Sequence, residues 1–352
     1  MLKPFFWNEK YALYAWLMFA FILGLSGYTV DILVIYNSWN REFYDTLQKL
    51  QEDRFYHLLI SWDFSSVKQL ILLNKEHVPS FLEILAVYVP INVFNVWLTR
   101  RYAFKWREAL NYYYTHQWKN TGVIIEGASQ RIQEDTARFA RTLESLLVGA
   151  FSAILVLIAF MPILWNLSKD LPVFVPIIAN IFNDLPIWNV TVVPGFLVWI
   201  ALVVSIGGTL MSFLIGFPLP RLEYNNQVVE AEFRKELVFG EDKPEIRDTK
   251  SLKQKFLNVR TNYYKLFNWY MGFGVWETSF SLVVGNIAII VLAPAYFKEL
   301  ITLGILFQVL NAFGRVQSSM SFFIDRWTTI VEFQSVVIRL KEFDLRINNS
   351  KK

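Results

Sequence analysis

The chain contains no cysteine, which removes disulfides, zinc–thiolate sites and thiol catalysis together. Charge is scarce as well: 18% of the 352 residues are Asp, Glu, Lys or Arg, against roughly 25% in an ordinary soluble domain. The basic residues behind the net charge of +4 are scattered over several loops, so no dense basic stripe marks a nucleic-acid binder. No Gly-Lys pair occurs anywhere. A Walker A loop, whose glycines let backbone N–H groups cradle phosphates while a lysine reaches the terminal ones, is therefore missing, and ATP binding by this chain is not expected. The histidines are His57, His77 and His116, and their spacing suggests neither a metal site nor a catalytic dyad. No nucleophile with a neighbouring base or strained turn stands out, so enzyme chemistry, a cofactor and a metal are not predicted.

What is abundant is apolar and aromatic: 54% hydrophobic residues and 17% aromatic, arranged in runs rather than on a periodic face. A bilayer core takes about 20 mostly apolar residues, and the runs 11–36, 81–99, 146–166, 195–216, 273–296 and 298–323 meet that length. The expected fold class is all-α: a polytopic membrane protein of six transmembrane helices forming one transporter domain. The run from Tyr11 is too long for a signal peptide and lacks a small-residue cleavage site, so it reads as a retained first span. Of the 34 lysines and arginines, 26 fall in 1–10, 100–145, 217–270 and 326–352, seven in 37–79, 167–194 and Lys298, and Arg315 lies within a span. The richer side is expected to be cytoplasmic, with both termini there.

The inner segments 100–145 and 217–270 do not read as loops. Arg100 to Trp118 has no proline or glycine and extends the second span; after Gly127-Ala128-Ser129, with Ser129 as an N-cap, the chain runs without a breaker to Pro162. The fourth span is expected to continue past Pro218 and Pro220, turn near Lys243-Pro244 and return towards Met271. The stretch Ala293 to Glu299, with Pro294 and two charges, predicts a tight outer turn. Two long helical hairpins on the cytoplasmic side of six spans is the layout of ABC-exporter membrane domains. Outside, 37–79 is acidic and aromatic and reads as part helical, and 167–194 holds four prolines, with glycosylation-acceptor patterns starting at Asn166, just before it, and at Asn189 within it.

Four blocks resemble the SbmA/BacA family of bacterial peptide-antibiotic transporters. They are Ile125-Glu126-Gly-Ala-Ser-Gln-Arg-Ile-Gln-Glu134-Asp-Thr-Ala-Arg-Phe139, the run from Leu222 through Glu230 to Glu241-Asp, the run from Thr302 through Gln308 and Asn311 to Gln317, and Trp327-Thr-Thr-Ile-Val-Glu332. The resemblance covers about 100 to 345, in order. It implies a homodimer in the bacterial inner membrane that imports peptides, including antimicrobial peptides and peptide antibiotics, on the proton gradient, in contact with membrane lipids. The N-terminal region is shorter than in enterobacterial members and 167–194 is longer, which bears on substrate range. Two alternatives stand beside this reading: the membrane subunit of a two-gene ABC exporter, and a membrane factor in envelope lipid modification. The chain ends about 25 residues after the last run, which leaves no room for an ATPase domain in the sequence at hand.

Proton coupling needs carboxyl groups in poorly hydrated surroundings. The resemblance carries that role to Glu126, Glu134, Glu230 and Glu241. Glu230 and Glu241 are about three turns apart and share a stripe on one continuous helix; the competing reading is an ordinary solvated helix, with Glu230 four before Arg234 and Glu134 four before Arg138. Glu277 falls within the fifth run and is a further proton-site candidate. Asp31 falls within the first, with structural and functional readings both open. Gln308, Asn311 and Arg315 place one wet face on the sixth run, as a cavity lining for peptide or as hydrogen bonds between packed helices.

Overall fold

The computed structural model describes residues 1–119, 121, 125, 127–169, 171, 194–242 and 249–349. Every regular element among them is helical: α1 (Lys3–Phe6), α2 (Ala12–Gln48), α3 (Glu52–Ile60), α4 (Phe64–Ile71), α5 (Phe81–Lys119), α6 (Ala128–Ser168), α7 (Phe196–Gly216), α8 (Leu219–Asp242), α9 (Thr249–Phe297), α10 (Leu303–Met320), α11 (Phe322–Asp325) and α12 (Trp327–Asn349). Five stretches are long and apolar enough to cross a membrane: Ala12–Gln48, Phe81–Lys119, Ala128–Ser168, Phe196–Glu241 and Thr249–Phe297. The sixth predicted run falls on α10, 18 residues long, where Gln308, Asn311, Arg315, Gln317 and two serines dilute the apolar residues. It is not among the five.

Several boundaries differ from the expectations for local reasons. Gly127, in the left-handed region at φ 74°, stands at the N-cap of α6, and Ser129 is already helical. The Asp63 carboxylate, by contrast, caps α4 by accepting from the Ser65 amide at 3.1 Å. Pro162 does not end α6, which runs on to Ser168, and Pro294 sits inside α9, which ends only at Phe297. A turn at Phe217–Pro218 separates α7 from α8, where an uninterrupted helix was expected. The turn at Lys243-Pro244 and the acceptor pattern at Asn189 lie outside the described residues.

The chain divides into two compact units. The first comprises Met1–Trp106, Glu144–Gly207 and Ser281–Phe322. Its core joins α2, α6, α7, α9 and α10 through Val30, Phe160, Leu164, Leu197, Leu292 and Val309, with Ala201, Ala288 and Ala312 letting helices close up. The start of α10 is tied to the end of α2. Asp45 Oδ1 accepts from the Gly304 amide at 2.9 Å and Gln48 Oε1 from the Leu303 amide at 2.7 Å, satisfying two of the donors that a helix start leaves open. A Cβ on Gly304 would lie 2.1 Å from the Arg41 carbonyl oxygen, so only glycine allows this approach.

The segment 37–79 is part helical as expected, and packs a second core of Ile32, Ile35, Trp39, Leu58, Leu70 and Ile84. It closes on a capping box at the start of α5. Glu83 Oε2 accepts from the Ser80 amide at 2.8 Å while Ser80 Oγ accepts from the Glu83 amide at 3.2 Å. Ser66 Oγ donates to the same carboxylate at 2.6 Å and also meets His77 Nε2 at 2.6 Å, which gives that histidine a structural place.

The second unit comprises Arg107–Leu143, Gly208–Phe280 and Phe323–Lys352. The two predicted inner extensions and the C-terminal segment thus fold together. α8 and α9 pair through Lys255–Glu232 at 2.8 Å, Ser251 Oγ donating to Glu236 at 2.8 Å and Asn262 donating to Asn226 at 3.1 Å. Leu219, Leu266, Phe273 and Val331 form its core. α12 joins in through Asp344, which accepts from the Tyr114 hydroxyl at 3.2 Å, and through Phe333 against Phe139.

Candidate functional site

The block from Gln130 to Asp135 forms a π-helical turn, Arg131–Asp135, at the head of α6. Such turns occur often at functional sites, because the extra residue re-aims side chains. Here it delivers Asp135, 1% exposed, to Arg339, 6% exposed. Arg339 donates from Nη2 to Asp135 Oδ1 at 2.8 Å and from Nε to Oδ2 at 3.1 Å; Arg131 donates to Oδ2 at 2.8 Å, and Ser335 Oγ accepts from Arg339 Nη1 at 2.8 Å. Two-pronged pairing of a guanidinium with a carboxylate fixes direction as well as energy. The clasp locks the motif to α12.

Glu134, beside it, bonds Arg138 at 2.6 Å and accepts from Gln130 at 3.2 Å, so the helical-pair reading of its spacing is realised. It also lines a cavity of about 490 Å³ with Arg107, Gln133 and Arg234. Glu126 lies outside the described residues. Glu230 and Glu241 share α8, as their spacing requires. Glu230 is partly buried and makes no ion pair with Arg234, whereas Glu241 is exposed in the single chain. Glu277, partly buried on α9, lies within electrostatic range of Asp325.

In the first unit, Asp31 pairs with Lys75 at 3.0 Å, an exposed bridge that supports the structural reading. Arg315 donates from Nε to Asn311 Oδ1 at 3.0 Å and stacks over Phe160 at 5.4 Å. Gln308 is buried, and its Oε1 has no hydrogen-bond partner. The structure therefore brings together Asn311 with Arg315, and Glu134 with Arg234 of α8 on the wall of one cavity, but does not gather the predicted glutamates into one cluster.

Sequence reasoning missed Glu144. It is 5% exposed on α6, and Oε1 has no hydrogen-bond partner. The hydroxyls of Tyr102 on α5 and Tyr14 on α2 are buried and unpartnered too, and Tyr102 feels the charge of both. The signal available was weak: one acid just before the third apolar run, in Arg141-Thr-Leu-Glu144, which reads as a solvated helix end. Only packing reveals its burial. An unpaired carboxylate in such a place is costly, so the site has the chemistry of a group that holds or releases a proton with its surroundings. Among the described residues no group of three His, Asp or Glu side chains is placed to hold a metal ion.

The chain is similar to proteins named as ABC transporters. An inner membrane ABC transporter ATP-binding protein, YddA, of Escherichia coli K12 is 26% identical over 97% of this chain and 59% of its own length. ABC transporter D family member 2, chloroplastic, of Arabidopsis thaliana is 23% identical over 98% of this chain and 45% of its own. An uncharacterised ABC transporter ATP-binding protein of Synechocystis, sll0182, is 24% identical over 72% and 35%. The chain thus spans about half the length of the relatives it matches. A family model matches residues 8–348, and the chain belongs to the SbmA/BacA-like family.

Proposed function

We propose that this chain is a membrane transporter that imports peptides across the bacterial inner membrane on the proton gradient, acting as a homodimer of six-span subunits with cytoplasmic termini. The observation that carries the reading is Glu144. It is a buried acid with an open acceptor, set between helices whose own tyrosine hydroxyls lack partners. Protonated, it removes the cost of a buried charge; ionised, it demands water or a donor, and a helix shift that admits one couples proton uptake to shape. Glu134, Glu230, Glu241 and Glu277, all in the second unit, are assigned to proton transfer within that unit. Glu241 joins only if a partner subunit covers it. Gln308, Asn311 and Arg315 are assigned to the cargo path.

The test is uptake of a labelled peptide into proteoliposomes under an imposed pH gradient. Uptake that follows the gradient and vanishes in Glu144→Gln, with expression and folding retained, is expected. Uptake indifferent to the gradient ends the reading. A second reading has its own support, since two of these relatives are named as ABC transporter ATP-binding proteins and are longer than this chain. In that reading a separate ATPase subunit drives the flux, and transport that requires ATP and a copurifying subunit would favour it.

A further inference from the structure

The second unit contains a cavity of about 870 Å³ walled by α6, α8 and α12. Five cationic side chains face it, Arg131, Arg234, Lys235, Arg339 and Arg346, against two carboxylates, Glu232 and Glu342. Glu232 is itself held by Lys255 at 2.8 Å, and Glu342 accepts from the Tyr224 hydroxyl at 3.1 Å. A smaller cavity of about 40 Å³ is also walled by Arg131, Arg339 and Arg346, so three guanidinium groups converge.

Two of these arginines are pre-positioned by the clasp. Arg339 spends three N–H groups on Asp135 and Ser335, and Arg131 spends one on Asp135. A guanidinium has five N–H donors, so both keep donors in reserve, in planes already fixed by a buried carboxylate. One carboxylate between two guanidinium groups also leaves a positive charge uncancelled. Arg234 and Arg346 are exposed and have no ion pair among the described residues.

We propose that this cavity is a binding site for a small soluble polyanion carrying at least two phosphate groups. Fixed guanidinium forks match phosphate oxygens in pairs, which lone lysines do not. The larger cavity falls in the range of about 300–1,000 Å³ usual for small-molecule sites, well beyond a single inorganic phosphate. Ser129 and Gln227 add neutral polar groups to the wall. A soluble ligand is favoured over a lipid headgroup by chain position. The cavity begins on α8 at Tyr224, past the turn at Phe217–Pro218 that follows the end of the apolar run at Gly216.

The experiment is calorimetric titration of the purified full chain, in neutral detergent at low salt, with inorganic pyrophosphate. Saturable binding is expected, weakened about tenfold or more in the double variant Arg234→Gln/Arg346→Gln and by added salt. Both arginines lie outside the clasp, so the variant should melt where the parent does. Lys68→Gln, in the first unit, should bind as the parent does. Equal pyrophosphate binding by parent and double variant overturns the proposal, as does no binding at millimolar concentration. Binding to phosphatidylglycerol nanodiscs without binding of pyrophosphate also overturns it, and assigns the cations to lipid. None of these outcomes depends on whether the chain moves peptides.

Discussion

Asp135 in the second unit and Glu144 in the first lie on the same helix, nine residues apart, and both are almost fully buried. Asp135 meets two guanidinium groups, Arg339 and Arg131; Glu144 leaves one oxygen with no donor. Burial alone therefore says little about what an acid does. Partners decide: a saturated carboxylate holds a structure together, while an unsaturated one is sensitive to protons, water and small helix movements. The second unit spends its buried charge on rigidity, and the first keeps one acid available for change.

The contrast can be broken from either side. The largest expected effect is on the clasp: Arg339→Ala leaves the buried Asp135 with Arg131 alone and should cost about 3 kcal/mol of stability, read by denaturant unfolding in detergent. Replacing Asp135 as well, Asp135→Leu with Arg339→Met, should cost clearly less than the single change, because the charge then left without its partner, Arg131, is partly exposed and can hydrate. If the double loses as much, the clasp is not electrostatic. Next comes packing in the first unit, where Gly304→Ala drives a methyl into the Arg41 carbonyl and should cost about 1–3 kcal/mol. Glu144→Gln should shift the unfolding midpoint little, by about 1 kcal/mol or less, while abolishing gradient-driven uptake. A loss of stability as large as that of Arg339→Ala would make Glu144 structural.

The smallest effect is a pH dependence in the second unit. Burial pushes the Asp344 carboxyl up, and the Tyr114 hydroxyl that donates to it only partly opposes this. An acid raised in the folded state binds its proton more readily there than when unfolded. Its contribution is therefore full below the ordinary aspartate value of about 3.9 and declines as pH rises through the raised folded value. Asp344→Asn should flatten that part of the stability curve, and an unchanged slope would place the titration elsewhere.

The sequence by itself determined the class of this protein. Its apolar runs, its charge asymmetry and its breaker-free inner segments predict long helices, and α5, α6 and α9 run as far as those segments do, because hydrophobic length and helical continuity are local properties. Glu230 and Glu241 were legible as one stripe for the same reason. Tertiary structure decided the rest. That Asp135 closes on Arg339, 204 residues away, that Glu144 is enclosed without a donor, that five cations wall one cavity and that Gly304 is needed against Arg41 all depend on which helices meet. Those meetings are set by packing between distant segments, and no local pattern of residues encodes them.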